Sequence, residues 1–138
     1  MDLQQALDWA AERKNGVLIT VRADGRAQSS DIVYARVGDE CWISVTDDRA
    51  KTVNLRRDPR AVLHVTDPSV WGYVSIDGTA ELTPVTMTPG DATSDDLVTL
   101  YRTVQGEHPD WDEYRQAMID QGRLVAKVHP TSAVGMTR

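Results

Sequence analysis

Val17-Leu18-Ile19-Thr20-Val21, followed by Ala23-Asp24-Gly25-Arg26, reads as a strand entering a tight reversal. An Asp-Gly pair supplies the backbone conformations that a short hairpin turn requires, and it is the strongest hairpin signal in the chain. The returning strand is expected over 27–37, with a second turn at Gly38-Asp39-Glu40. Next comes Cys41-Trp42-Ile43-Ser44-Val45, in which Cys41, Ile43 and Val45 share one face and Trp42 and Ser44 the other. Three antiparallel strands are thus predicted before residue 46. Upstream, Leu3, Ala6, Leu7 and Ala10 line one face of an amphipathic helix over 3–13, capped by Asp2 and stopped by Gly16.

Downstream, the turn Thr46-Asp47-Asp48 leads into a short basic helix that ends at Asp58-Pro59, because the residue before a proline avoids helical geometry. The β pattern resumes with Ala61-Val62-Leu63-His64-Val65. Two more strands are expected, over 70–76 and 79–83, joined by a hairpin turn at Asp77-Gly78. Residues 84–93 read as a loop, and 95–104 and 110–121 as two helices separated by Gly106-Glu107-His108-Pro109. Leu124-Val125-Ala126-Lys127-Val128 is the last predicted strand, before a short tail. The fold class is α+β: six or seven short strands forming an antiparallel barrel, in a single domain over 1–138 with a helical insertion around 94–121.

The 138 residues carry 15 Lys and Arg against 21 Asp and Glu, a net charge of −6 that argues against nucleic acid as a partner. Cys41 is the single cysteine, so a disulfide framework and a cysteine metal site are excluded. His64, His108 and His129 lie far apart, at no zinc-ligand spacing, and no metal is expected. No apolar run approaches the roughly 20 residues of a membrane span, and the N-terminus lacks the order of a signal peptide. A cytoplasmic protein without membrane contact is expected. There is no Gly-x-Ser-x-Gly elbow and no Gly-x-Gly-x-x-Gly after a strand. No catalytic residue can be named, and reactive chemistry on this chain would come with a cofactor.

The basic helix is the chemical exception. Arg49-Ala50-Lys51-Thr52-Val53-Asn54-Leu55-Arg56-Arg57-Asp58-Pro59-Arg60 holds five of the 15 basic residues. At a helix N-terminus, unpaired N–H groups and the partial positive charge join Arg49 and Lys51 in favouring a phosphate or carboxylate. The competing reading is a solvated basic face on an acidic surface. Helical spacing keeps all five basic side chains from pointing at one ligand.

This segment, with Trp71-Gly72-Tyr73, Asp77-Gly78-Thr79-Ala80-Glu81-Leu82-Thr83-Pro84 and the stretch from Leu100-Tyr101-Arg102 through Gly106-Glu107-His108-Pro109-Asp110-Trp111 to Met118, resembles the flavin- and deazaflavin-binding split β-barrel family. Its namesake is pyridoxamine 5′-phosphate oxidase, and the basic motif is similar to the actinobacterial branch that binds coenzyme F420. The resemblance covers nearly the whole chain. It implies a split β-barrel, a homodimer with the cofactor cleft between protomers, and hydride transfer from reduced coenzyme F420 to a small electron-poor acceptor. An FMN-dependent oxidase or reductase, or a non-catalytic protein binding the cofactor or a tetrapyrrole, are the alternatives. By the same resemblance, Arg49, Lys51 and Asn54 meet the phosphate and the polar edge of the ring, Ala50 and Thr52 offer backbone groups, and Arg56 and Arg57 face the glutamate tail. Arg60 is structural. Ser30 and Ile32, with Gln28, and Val45 and Thr46 are expected to floor the site, with ordinary sheet packing as the competing role for Ile32 and Val45. Trp71 and Tyr73, two apart on one strand, are expected to meet the ring across the dimer interface or simply to fill it.

Overall fold

In the computed structural model, which describes residues 1–137, seven antiparallel strands form one curled sheet, a split half-barrel flanked by four α-helices. Helix α1 (Leu3–Ala11) precedes β1 (Asn15–Val21), β2 (Ala27–Val33), β3 (Ala35–Val37) and β4 (Glu40–Thr46). Helix α2 (Ala50–Arg57) then leads to β5 (Arg60–Asp67), a 3-10 turn (Pro68–Val70), β6 (Gly72–Leu82), α3 (Ala92–Gln105), α4 (Trp111–Asp120) and β7 (Arg123–Met136). The spatial order is β2-β1-β5-β6-β7-β4-β3. Between β4 and β5, α2 therefore carries the chain from one side of the β6–β7 pair to the other.

The first hairpin forms as its turn chemistry dictates: Val21 pairs with Ala27, and Gly25 takes φ 88°. Asp2 caps α1, accepting from the Gln5 N–H at 3.0 Å. Alternation along each strand separates two cores. The inner one packs Leu18, Ile43, Val45, Leu63, Val74, Ile76 and Leu124 beneath α1 and Leu55. The second lies on the outer face of β3, β4 and the start of β7, where Trp42 and Val125 meet Leu97, Val98 and Tyr114 from α3 and α4. Tyr101, His108, Trp111 and Tyr114 lock those two helices together, their ring centroids 5.0–5.6 Å apart.

Several elements depart from the sequence reading. The strand expected over 27–37 is broken at Tyr34, whose buried hydroxyl donates to the Ala10 carbonyl at 2.6 Å, so four strands precede α2. The first helix ends at Ala11, and Gly16 lies inside β1. Asp77-Gly78 is not a turn: β6 runs through it unbroken, with a register shift against β7 at that point. A Cβ on residue 78 would sit 2.6 Å from the His129 carbonyl oxygen, so this glycine permits close approach of two strands instead of reversing one. The last strand is 14 residues long, pairing with β4 through its first half and with β6 along most of its length. Trp71 precedes β6 in the left-handed region, φ 54°, and so shares no strand face with Tyr73.

Candidate functional site

Strand β4 delivers the chain to the start of α2 through a turn that is tied down from several sides. The Asp47 N–H donates to the Gly122 carbonyl at 2.9 Å, the Arg49 N–H to the Thr46 carbonyl at 3.3 Å, and the Thr52 hydroxyl to that same carbonyl at 2.7 Å. Arg49 occupies the cap position with extended backbone and makes no side-chain cap bond, and the first turn of α2 holds no acidic residue. The N–H groups and partial charge that a capping carboxylate would neutralise are left for another anion.

The five basic residues of the segment have different fates. Arg56 ion-pairs with Asp47 and donates to its carbonyl at 3.0 Å. Arg57 donates to the Val21 carbonyl at 2.7 Å and to Asn54 Oδ1 at 3.0 Å. Arg60 opens β5 and pairs with Asp58 at 2.7 Å, holding that carboxyl down at about 2. Among the described residues, the side chains of Arg49 and Lys51 have no hydrogen-bond or ion-pair partner. Burial lowers the Lys51 pKa from its usual range, and the charges of Arg49 and Arg123 lower it further. Arg123 lies far away in sequence, but β7 pairs it with Thr46 and so sets it beside the α2 entrance. A cleft of about 530 Å³ opens there between Thr46, Asp48, Arg49, Ala50, Gln121 and Arg123. The sequence reading missed Arg123, which stands one residue before the predicted last strand; its proximity is a product of strand pairing, with no local signal.

The other expected site residues scatter. Asn54 is buried and fully engaged, its amide donating to Thr20 Oγ1 at 3.1 Å and Gln28 Oε1 at 3.2 Å while Arg57 donates to its oxygen. It pins α2 to β1 and β2. Thr52 and Val45 have no exposed surface, and Ile32 belongs to the inner core. Ser30 and Thr46 are half-buried, with Gln28, Ser30 and Ile32 on one face of β2. Cys41 is also buried, which pushes its thiol up to about 12 and leaves no nucleophile there.

Trp71 and Tyr73 line a separate apolar cleft of about 430 Å³, together with His64, Thr66 and Met136. The His64 ring stacks on Tyr73 at 5.6 Å and lies 2.9 Å from Thr66 Oγ1. Arg123 and Met136 are the two ends of the 14-residue β7, so the two clefts lie at opposite ends of that strand.

A family model for pyridoxamine 5′-phosphate oxidase matches residues 3–133. The chain belongs to that family. Among solved structures, the conserved hypothetical protein Rv2991 from Mycobacterium tuberculosis superposes with a TM-score of 0.78 at 23% identity, covering 98% of this chain and 84% of that one. A protein described as an F420 reductase gives 0.70 at 25% identity, over 92% and 94% of the two chains. A heme binding protein from Mycobacterium smegmatis gives 0.71 at 21%, over 97% of this chain and 53% of that one. The architecture is an oxidoreductase fold that also occurs in proteins named for binding rather than for catalysis. Among the described residues, no helix is long and apolar enough to cross a membrane, and no group of His, Cys, Asp and Glu is placed to hold a metal ion.

Proposed function

We propose that this protein is a reductase that uses coenzyme F420, a deazaflavin carrying a phosphate and a glutamate tail, to reduce a small electron-poor organic molecule. The observation that carries the reading is the pair of unpartnered cations, Arg49 and Lys51, at an uncapped helix N-terminus of an otherwise acidic chain. The likeness to an F420 reductase supports it. These residues fit an anionic cofactor: a phosphate there would meet two free cations and the exposed backbone of Ala50, with charge-assisted bonds stronger than neutral ones, whereas Thr52 is buried and braces the turn through its hydroxyl. Arg56 and Arg57, in the last turn of α2, are each already fixed by an internal acceptor. Thr46 and Ser30 would border the ring, Thr46 at the end of β4 and Ser30 on β2, which Asn54 holds against α2 through Gln28.

When bound, the reduced deazaflavin supplies a hydride. The chain's own contribution is to hold the cofactor by its phosphate, align it and exclude water. Helices α3 and α4 cover the outer face around Trp42 and Val125, whereas Tyr73, Val134 and Met136, with Trp71 beside them at 79% exposure, form an apolar patch outside that cover. A second copy of the chain covers this patch in the proposed homodimer, bringing Trp71 and Tyr73 of one protomer toward the cofactor of the other.

Fluorescence titration of the cofactor-free protein with coenzyme F420 and, separately, with FMN tests the assignment. Preference for F420, followed by oxidation of its reduced form by a quinone or nitro acceptor, is the expected result. Preference for FMN would shift the reading to a flavin enzyme on the same fold, and binding of neither would overturn it.

A further inference from the structure

We propose that Arg123 is a third cation of the anion site, delivered by β7 and positioned by the turn that closes the α3–α4 excursion, and that the completed site takes a ligand with two adjoining anionic groups. This inference rests on the reading of the α2 entrance as an anion site, though not on which cofactor is bound there.

Three observations converge. The strand register sets Arg123 directly opposite Thr46, the residue from which the α2 turn departs, and both line the cleft with Arg49. The partners of Arg123 are neutral: its Nε donates to Gln121 Oε1 at 3.0 Å, and one terminal nitrogen lies 3.5 Å from Ser44 Oγ. Its charge is therefore oriented without being offset. Asp48 is the one carboxylate among the cleft residues, and it accepts from the Thr46 hydroxyl at 3.2 Å.

The support for Arg123 is built from the end of α4. Gly122 takes φ 66°, and its carbonyl accepts the Asp47 N–H, while the Arg123 carbonyl accepts the Thr86 N–H at 2.9 Å. The excursion over 87–121 thus has a placing role: its final turn is stitched to the α2 turn on one side and presents Gln121 as the acceptor that aims the guanidinium. Gln121 is a positioning residue. Burial is the main cause that lowers the Lys51 pKa, and repulsion from Arg49 and Arg123 lowers it further, so Lys51 beside the cleft feels both cations that line it. A single phosphate leaves part of that repulsion in place; two adjacent anionic groups, as in a diphosphate or a phosphate followed by a carboxylate, relieve it more fully.

Calorimetric titration of the cofactor-free full chain at low salt, with inorganic pyrophosphate and inorganic phosphate as probes, tests this directly. The wild-type protein is expected to bind pyrophosphate at least tenfold more tightly than phosphate. Arg123→Gln should lose most of that preference, and Arg123→Lys, which keeps the charge without the planar fork, should lose several-fold in pyrophosphate affinity. Gln121→Ala should lower the pyrophosphate-to-phosphate ratio with an unchanged melting temperature, which a merely structural role would not do. Wild-type protein that binds no pyrophosphate, or an unchanged preference in either folded Arg123 variant, overturns the proposal. Because neither probe is a deazaflavin, the two readings fail separately. Expected pyrophosphate behaviour without F420 binding removes the cofactor assignment alone, and F420 binding with an indifferent Arg123 removes this one alone.

Discussion

Lys51 is the residue on which the proposed chemistry turns, because it is charged, half-buried and without an acceptor of its own. Replacing it by Ala should weaken cofactor binding by about 1.5–3 kcal/mol, the range of a hydrogen bond to a charged group, and leave the melting temperature unchanged. Unchanged affinity in a titration of the folded variant would remove Lys51 from the site. Its lowered pKa also sets a pH dependence. Affinity should therefore fall as pH rises toward the lowered pKa, at a lower pH than an ordinary lysine would give. An anion favours the ammonium, so binding in the alkaline range should take up protons, seen as a binding heat that varies with the ionisation enthalpy of the buffer. In the sequence the five basic residues of 49–60 look alike. What separates them is the set of acceptors folding brings near, such as the Val21 carbonyl for Arg57, and local pattern carries no record of it. Asn54 shows the same limit. The family resemblance assigns it to the phosphate and the polar edge of the ring, while its amide donates to Thr20 and Gln28.

At the scale of elements, the hydrophobic alternation of β1, β4 and β5 and the Asp24-Gly25 reversal were legible because each depends on neighbours a few residues away. Asp77-Gly78 has the same local signature as a hairpin, and there the strand contacts prevail: β6 pairs with β5 over Gly72–Thr79 and with β7 over Tyr73–Leu82, across a register shift at this dipeptide. Gly78→Ala should therefore cost about 1–3 kcal/mol through overpacking against the His129 carbonyl and Val128, read as a lowered denaturation midpoint. A neutral effect would mean that the two strands separate easily. Asp91 governs a different junction, the cap of α3. Desolvation opposes its ionisation, but N–H groups of Met87, Ser94 and Thr88 and the Thr86 hydroxyl outweigh it, holding the carboxyl down at about 2. Since the folded pKa lies below the usual 3.8, the charged cap contributes its full stability above that value and loses it as pH falls from about 4 to about 2. Asp91→Ala should destabilise the protein by about 0.5–2 kcal/mol at pH 7, and the gap to wild type should narrow across that acidic window in parallel urea melts.

For the whole molecule, the curled sheet has an outer face that is covered over one part and bare over the other. The proposed homodimer makes use of the bare part. Sedimentation of the wild-type chain should give a dimer, and Val134→Lys, a charge placed where the side chain is 63% exposed, should shift it toward monomer without unfolding it. A monomeric wild type at micromolar concentration would remove the partner and, with it, the role proposed for Trp71 and Tyr73. The order β2-β1-β5-β6-β7-β4-β3 has a further consequence, for biosynthesis. Among the described strands the seventh, β7, lies between β6 and β4, so a ribosome that has released everything up to residue 122 has produced two sheet fragments, each ending in an unpaired edge. Such edges invite pairing with other chains. Closure of the sheet during synthesis therefore waits for β7, which enters as a wedge between the two fragments.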